Sequence, residues 1–251
     1  MPSTSSPSTA FCPLLRQQLP HSHSQPLQRI TRYQRSHIAQ AKRRDPIVSP
    51  YIQTGQHPED VIDMFGYLMK NRVIFIGSRI NDEVATNIVA SLLAMEAMDD
   101  SQDIKLYINS PGGQSYSVIA LLDTIEAIKP DVCTIALGLC ASTATVLLAA
   151  GAKGKRFAMP SARIMMHQPA GGAMGSADEV NIQATELNRT MKVIHRFYQR
   201  YTGLELERIE EETDRDNFMS PKQAQELGII DGIILSSDIS VPDATATAVA
   251  A

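Results

Sequence analysis

Between residues 72 and 167 four short β-rich runs alternate with three helical stretches, and this alternation leaves few folds open to the chain. Arg72-Val-Ile-Phe-Ile-Gly77 is apolar, rich in β-branched residues and ended by Gly, so it reads as a buried strand. Ile104-Lys-Leu-Tyr-Ile108 alternates into a second strand, and residues 132–137 and Ile164-Met-Met-His167 supply a third and a fourth. Between them, residues 82–98 place Val84, Ile88, Leu92 and Met95 on one helical face behind an acidic start. Residues 117–128 have helical character, and 141–149 form a small, apolar stretch that predicts a buried helix. Strands alternating with helices predict an α/β domain with a mainly parallel sheet. A further helix is expected over 58–70 from Val61, Ile62, Phe65, Leu68 and Met69. No internal repeat is visible.

The ends of the chain differ from this body. Of its 23 Lys and Arg residues, seven lie in the first 44 positions, which contain no acid. The remainder holds 16 basic and 27 acidic residues, a formal net charge of −11 that the whole-chain value of −4 conceals. A nucleic-acid binder shows a basic body, so that class is excluded. The opening ten residues carry six hydroxyl side chains and no charge. A Ser-rich, Arg-containing, acid-free segment cannot bury a core, and it has the composition of an organelle transit peptide. We therefore expect an address over residues 1–44, cleaved near 41–45, with the chloroplast favoured over the mitochondrial matrix by the uncharged start. A basic tail that stays attached is the alternative. The folded domain is expected over 45–236, and the small, polar tail over 237–251 is expected to be disordered.

The longest apolar region, 132–152, is interrupted by Thr, Ser and Gly and reads as core, so no membrane span is expected. Three cysteines (Cys12, Cys133 and Cys140) form no CxxC, and no His lies near them at zinc-ligand spacing. No disulfide framework or metal site is expected, and a reducing compartment is the simple reading.

One helix is unusual. From 177 to 201, apolar residues fall at Val180, Ala184, Leu187, Met191, Ile194, Tyr198 and Tyr201, a heptad seam. About 25 residues at 1.5 Å each give a rod of roughly 37 Å, long for a compact domain. Gly171-Gly-Ala-Met-Gly175 precedes it like a strap. The length predicts that part of the helix protrudes; a core helix and an oligomer contact are both open, and the strap favours the contact.

Several residues carry possible chemistry. Ser142 follows a strand and opens a small-residue helix, where unpaired N–H groups and the helix dipole favour developing negative charge. Taken alone, a Ser at that place is more often a helix cap. Cys140 is a rival nucleophile, although a small Cys at a strand end is ordinary core. Asn109-Ser-Pro-Gly-Gly113 ends the second strand, and paired glycines let backbone N–H groups approach a ligand as an oxyanion hole requires. A plain strand-to-helix turn has the same composition. A lone buried His is more often a satisfied core residue, but His167 lies at a strand end, where α/β folds place sites, whereas His21, His23 and His37 fall in the address, His57 near the start of the body and His195 on the long helix. Asp216, in an acidic cluster, has no pattern of its own. Gly154-Lys155 lacks the flanking residues of a P-loop, so no ATP site of that kind is expected.

In order and together, these features resemble the ClpP peptidase family. The resemblance rests on Tyr107-Ile-Asn-Ser-Pro-Gly-Gly113, Ile128-Lys-Pro-Asp-Val132, Leu148-Ala-Ala-Gly-Ala-Lys-Gly-Lys-Arg-Phe157, Met166-His-Gln-Pro169, Thr213-Asp-Arg-Asp-Asn-Phe-Met-Ser220 and Gly228-Ile-Ile-Asp231, and runs from about Pro58 to Leu235. It implies a ClpP/crotonase-like fold and a serine peptidase triad of Ser142, His167 and Asp216, with backbone N–H groups of Gly113 and Thr143 as oxyanion hole. It further implies a handle, made of the strap and the long helix, that interlocks two seven-membered rings of ClpP or ClpR subunits. Substrates would be unfolded polypeptides fed by a separate AAA+ chaperone. ATP would then be that partner's, and this chain would need no cofactor.

Two departures from the family pattern stand out. Thr143-Ala144 follows the serine where Met-Gly is usual, and Gln114-Ser-Tyr-Ser117 follows the glycines in place of small residues with a Gly. Both point to a specialised paralogue. An idle, ClpR-like ring member is one alternative, although all three triad positions are filled. A crotonase-like acyl-CoA enzyme, which shares the fold but not the triad, is the other.

Overall fold

The computed structural model describes residues 51–54 and 61–235, in two compact units, one reaching Asn71 and the other starting at Arg72. The expected address over 1–44 and the tail over 237–251 lie outside the described residues. In the first unit, β1 (Tyr51–Gln53) and β2 (Val61–Asp63) pair antiparallel with Ile52 opposite Ile62, and α1 (Met64–Lys70) follows. The helix expected over 58–70 thus starts later, and residues 58–60 are outside the described set. The reason is local. Val61 and Ile62 are β-branched and take the strand, while the Asp63 carboxylate accepts the Gly66 N–H at 2.8 Å and caps the helix there.

The second unit is built on one sheet. Its elements are β3 (Val73–Ile76), α2 (Asp82–Met98), β4 (Ile104–Ser110), α3 (Ser115–Ala127), β5 (Val132–Ala141), α4 (Thr143–Ala149), β6 (Arg156–Ala158) and β7 (Arg163–Met166). Then come α5 (Ala177–Thr202), α6 (Leu206–Thr213), β8 (Asn217–Met219), α7 (Pro221–Glu226) and β9 (Gly232–Ile233). Strands β3-β4-β5-β6-β9 run parallel in that order, the mainly parallel sense that the alternation predicts, with β6 and β9 as unexpected additions. The sheet forks at β5. Its first half pairs with β6 through Thr134 and Arg156, and its second half pairs with β7 through Leu139 and Arg163. Strand β8 then adds to β7 in the antiparallel sense.

The fork exists because β5 runs four residues past the expected 132–137. Gly138 adopts φ 45°, and the register between β4 and β5 shifts between Ile108 and Ser110. The Asn109 side-chain oxygen fills the irregularity by accepting the Leu139 N–H at 3.1 Å. The core lies around the sheet, with Ile76, Leu106, Ile108, Leu121, Leu122, Leu147 and Leu148 fully buried. Each such aliphatic contributes about 1.5–3 kcal/mol. All seven residues of α4 are buried, which explains why Thr-Ala-Thr-Val-Leu-Leu-Ala carries no charge.

A clamp closes the far edge. Arg156, almost wholly buried, donates to Asp231 through Nη2 at 2.6 Å and Nε at 2.9 Å, and through Nη1 to Tyr201 O at 3.0 Å. Asp231 also accepts the Gly154 N–H at 2.7 Å. Burial acts to raise the Asp231 pKa, but the Arg156 contacts outweigh it and hold the carboxyl below the usual range.

Helix α5 runs over 26 residues, about 39 Å. A Ser176–Glu179 capping box starts it, and Gly203 at φ 79° ends it. Its buried residues (Thr190, Ile194, His195, Phe197 and Tyr198) lie in the second half, and residues 177–189 bury none. Of the heptad seam, Ile194 and Tyr198 are buried, Val180, Leu187, Met191 and Tyr201 are half-buried, and Ala184 is exposed. Gly171 to Gly175 form neither helix nor strand.

Candidate active site

Three neighbouring strand ends assemble the site. Strand β5 ends at Ala141, one residue before Ser142, and β7 ends at Met166, one residue before His167. Strand β8 begins at Asn217, one residue after Asp216. The β5–β7 pairing matches Ala141 with Met165, and the Ser142 N–H donates to Met165 O at 2.9 Å. The antiparallel β7–β8 pairing sets Met166 opposite Asn217, so one further step in register brings His167 opposite Asp216. Side chains that are distant in sequence converge because their strands are adjacent.

The distances follow. Nε2 of His167 lies 2.7 Å from Ser142 Oγ, and its Nδ1 lies 3.2 Å from Asp216 Oδ1. The imidazole is three-quarters covered, whereas the Asp216 carboxylate is two-thirds exposed. Because the Asp216 carboxylate is mostly exposed, this contact contributes little net stability and acts mainly on ring orientation. Gln168 fastens the two segments together. Its N–H donates to Thr213 O at 2.7 Å and its side-chain amide to Asp214 O at 3.0 Å. Sequence reasoning gave Gln168 no role; its signal was adjacency to His167.

Ser142 is held in an unusual backbone state, φ 60° and ψ −128°, between strand and helix. A non-glycine residue there costs about 1–3 kcal/mol, supplied by the surrounding packing. Ser142 Oγ makes no helix-capping bond, so the simple cap reading does not apply. Thr145 pins the turn, its hydroxyl lying 2.7 Å from Met165 O and 3.0 Å from Cys140 O.

The rival nucleophile is disabled by its surroundings. Cys140 is fully buried, and burial pushes its thiol up to about 12, so it holds no reactive thiolate near neutral pH.

The glycine turn flanks Ser142. Ile80 N donates to Gly112 O at 3.0 Å and Gln114 N to Ile80 O at 2.9 Å, which clamps the turn to the segment before α2. A Cβ on Gly113 would stand 1.8 Å from Ile80 O, and one on Gly112 would stand 2.9 Å from Ser142 Cβ. Only glycine fits at either place, and the backbone passes directly beside the nucleophile. The Thr143 N–H, at the first turn of α4, has no intrahelical acceptor. The Gly113 N–H is engaged: Thr143 Oγ1 accepts it at 2.9 Å. Of the bulkier segment after the glycines, Tyr116 does not simply wall the site. It is exposed, and its hydroxyl donates to Glu186 of α5 at 2.5 Å.

A serine on a strained turn at a helix start, bonded to an imidazole that faces a carboxylate, is equipped for nucleophilic acyl chemistry. The sequence pattern of the Clp protease family matches residues 56–237, which takes in the three strand ends, the glycine turn and both units' described helices. No helix among the described residues is long and apolar enough to cross a membrane. By that match, and on the α/β sheet that carries it, this chain belongs to the Clp protease family.

Proposed function

We propose that the chain is an active serine endopeptidase subunit of an ATP-dependent Clp protease. The observation that carries the reading is the 2.7 Å contact between His167 Nε2 and Ser142 Oγ, on a serine held at a strained, positive φ. His167 takes the Ser142 proton as Oγ attacks a peptide carbonyl. Asp216 holds the imidazole tautomer and stabilises the imidazolium. The N–H groups of Gly113 and Thr143 receive the oxyanion. His167 then gives the proton to the leaving amine, and water, deprotonated by the same imidazole, hydrolyses the acyl-enzyme.

The family supports the assembly part of the reading, and the composition of residues 1–44 supports the address. The subunit sits with other ClpP or ClpR chains in stacked seven-membered rings, with α5 and its strap as the handle. A AAA+ chaperone delivers unfolded polypeptides and consumes the ATP, so this chain needs no cofactor. Residues 1–44 direct it to the chloroplast stroma, with the mitochondrial matrix as the alternative, and are removed. N-terminal sequencing of the mature chain tests this last point, since an intact residue 1 contradicts it.

The engaged Gly113 N–H favours a second reading, an idle ring member of ClpR type. Fluorogenic peptide hydrolysis by the assembled complex decides between them. With every other active subunit silenced, Ser142→Ala abolishes the remaining cleavage if this subunit is active. If no cleavage remains before that substitution, the subunit is idle.

A further inference from the structure

We propose that Thr143 is a built-in competitor for the oxyanion, a side chain that occupies the site's own hydrogen-bond donor until substrate displaces it. The inference rests on the peptidase reading and concerns the regulation of the same site. Thr143 Oγ1 accepts the Gly113 N–H at 2.9 Å, and its own proton faces Gly113 O at 3.5 Å. The hydroxyl thus stands where a developing oxyanion would seek that N–H. It also lies 3.0 Å from the place a Gly112 Cβ would take, so it fills the notch between the glycine turn and Ser142. The side chain is buried, which limits competition from water for this contact.

The arrangement has a physical cost and a physical logic. A backbone N–H beside a nucleophile, if unpaired in a partly closed site, bears a desolvation penalty. The Thr143 hydroxyl removes that penalty in the resting state. The same contact must break in the transition state, so part of the oxyanion's stabilisation is cancelled by the bond it replaces. Release needs rotation about χ1 of a β-branched residue, which has few alternative rotamers. A residue without a γ-acceptor would leave the Gly113 donor ready for the oxyanion. The resting state is therefore intact in its triad geometry but handicapped in its oxyanion hole.

Thr143 acts here as a positioning residue whose effect falls on kcat. Thr143→Ala deletes the acceptor and the branch, and raises kcat several-fold, up to about tenfold, with KM little changed. Thr143→Ser keeps the acceptor, so the rise in kcat that follows its removal is absent. The companion measurement needs no activity: amide hydrogen exchange of the Gly112–Gly113 peptide, read by mass spectrometry in the assembled complex. Exchange at Gly113 speeds up in Thr143→Ala and is retained at the wild-type rate in Thr143→Ser. An unchanged or lowered kcat in Thr143→Ala, or unchanged Gly113 exchange, overturns the proposal. If Thr143→Ala,Ser142→Ala still cleaves peptide, the peptidase reading fails instead, and the exchange data alone judge the Thr143 contact.

Discussion

Replacing Gly113 by Ala should separate the chemistry of the site from the stability of the fold. The added Cβ would stand 1.8 Å from Ile80 O, 2.6 Å from Ile80 C and 2.7 Å from Ile80 N. Real Cβ contacts do not fall below 3.0 Å, so the two backbone segments must part by about 1.2 Å. Neither is the end of a flexible side chain, and both hydrogen bonds that join them, at 3.0 and 2.9 Å, weaken or break. Two such bonds are worth about 1–3 kcal/mol together, a loss a domain of this size survives. The Gly113 N–H then leaves its place beside Ser142, while the Ser142–His167 contact, on β5 and β7, stays. Removal of one oxyanion donor costs about 10²–10³ in kcat. The assay is kcat and KM on a fluorogenic peptide, with circular dichroism and urea unfolding as controls. We expect kcat to fall about 10- to 100-fold, because the Thr143 contact already cancels part of this donor's contribution, KM to change little, and stability to drop by about 1–3 kcal/mol. A folded Gly113→Ala variant with wild-type kcat would refute the assignment of that N–H to the oxyanion.

Three further predictions concern other parts of the molecule. Asp231→Ala strands the buried Arg156 cation, which costs about 3–5 kcal/mol and lowers Tm by roughly 6–20 °C in thermal melts; a shift under about 2 °C would contradict the clamp. Tyr198→Phe is neutral or stabilising by about 1 kcal/mol in urea unfolding, because the Tyr198 hydroxyl is the buried side-chain group without a hydrogen-bond partner among the described residues; a clear loss would show that the hydroxyl has one. Stability also falls as pH drops below about 6.5, the unfolded value for histidine. His195 is buried beside Thr213, and burial lowers its folded pKa despite the nearby Glu210. Below the unfolded pKa the unfolded chain binds the proton that the fold resists, so the loss grows down to the folded pKa and then levels. His195→Gln should flatten the urea midpoint between pH 7 and 5.5, and an unchanged slope would remove His195 as the cause.

Much of the fold was legible because its pattern is strong. The 82–98 prediction matches α2 in both ends, since Asn81 caps it and Val84, Ile88, Leu92 and Met95 face one way. The mainly parallel sense of the sheet is legible from alternation, whereas the strand order is not. What escaped were elements of two to eight residues, among them β6, β8, β9 and α6, too short for any period to register. That loss mattered for the site. Asp216 looked like one acid among several because its meaning lies in β8, a three-residue strand whose pairing with β7 exists only in three dimensions. Ser142 and the glycine turn were readable as chemistry, but their linkage was carried by the family resemblance. The occupation of the Gly113 N–H by Thr143 was beyond sequence reach. Thr143 was visible as a departure from the family pattern, yet only the close approach of two turns shows what its hydroxyl does.

The account depends most on Ser142 being a working nucleophile. A fluorophosphonate probe applied to the intact complex, followed by peptide mapping, tests this directly. The account predicts a covalent adduct on Ser142 in the wild type, strongly reduced by His167→Ala. The absence of any adduct on Ser142, under conditions that label another active serine peptidase, would contradict it.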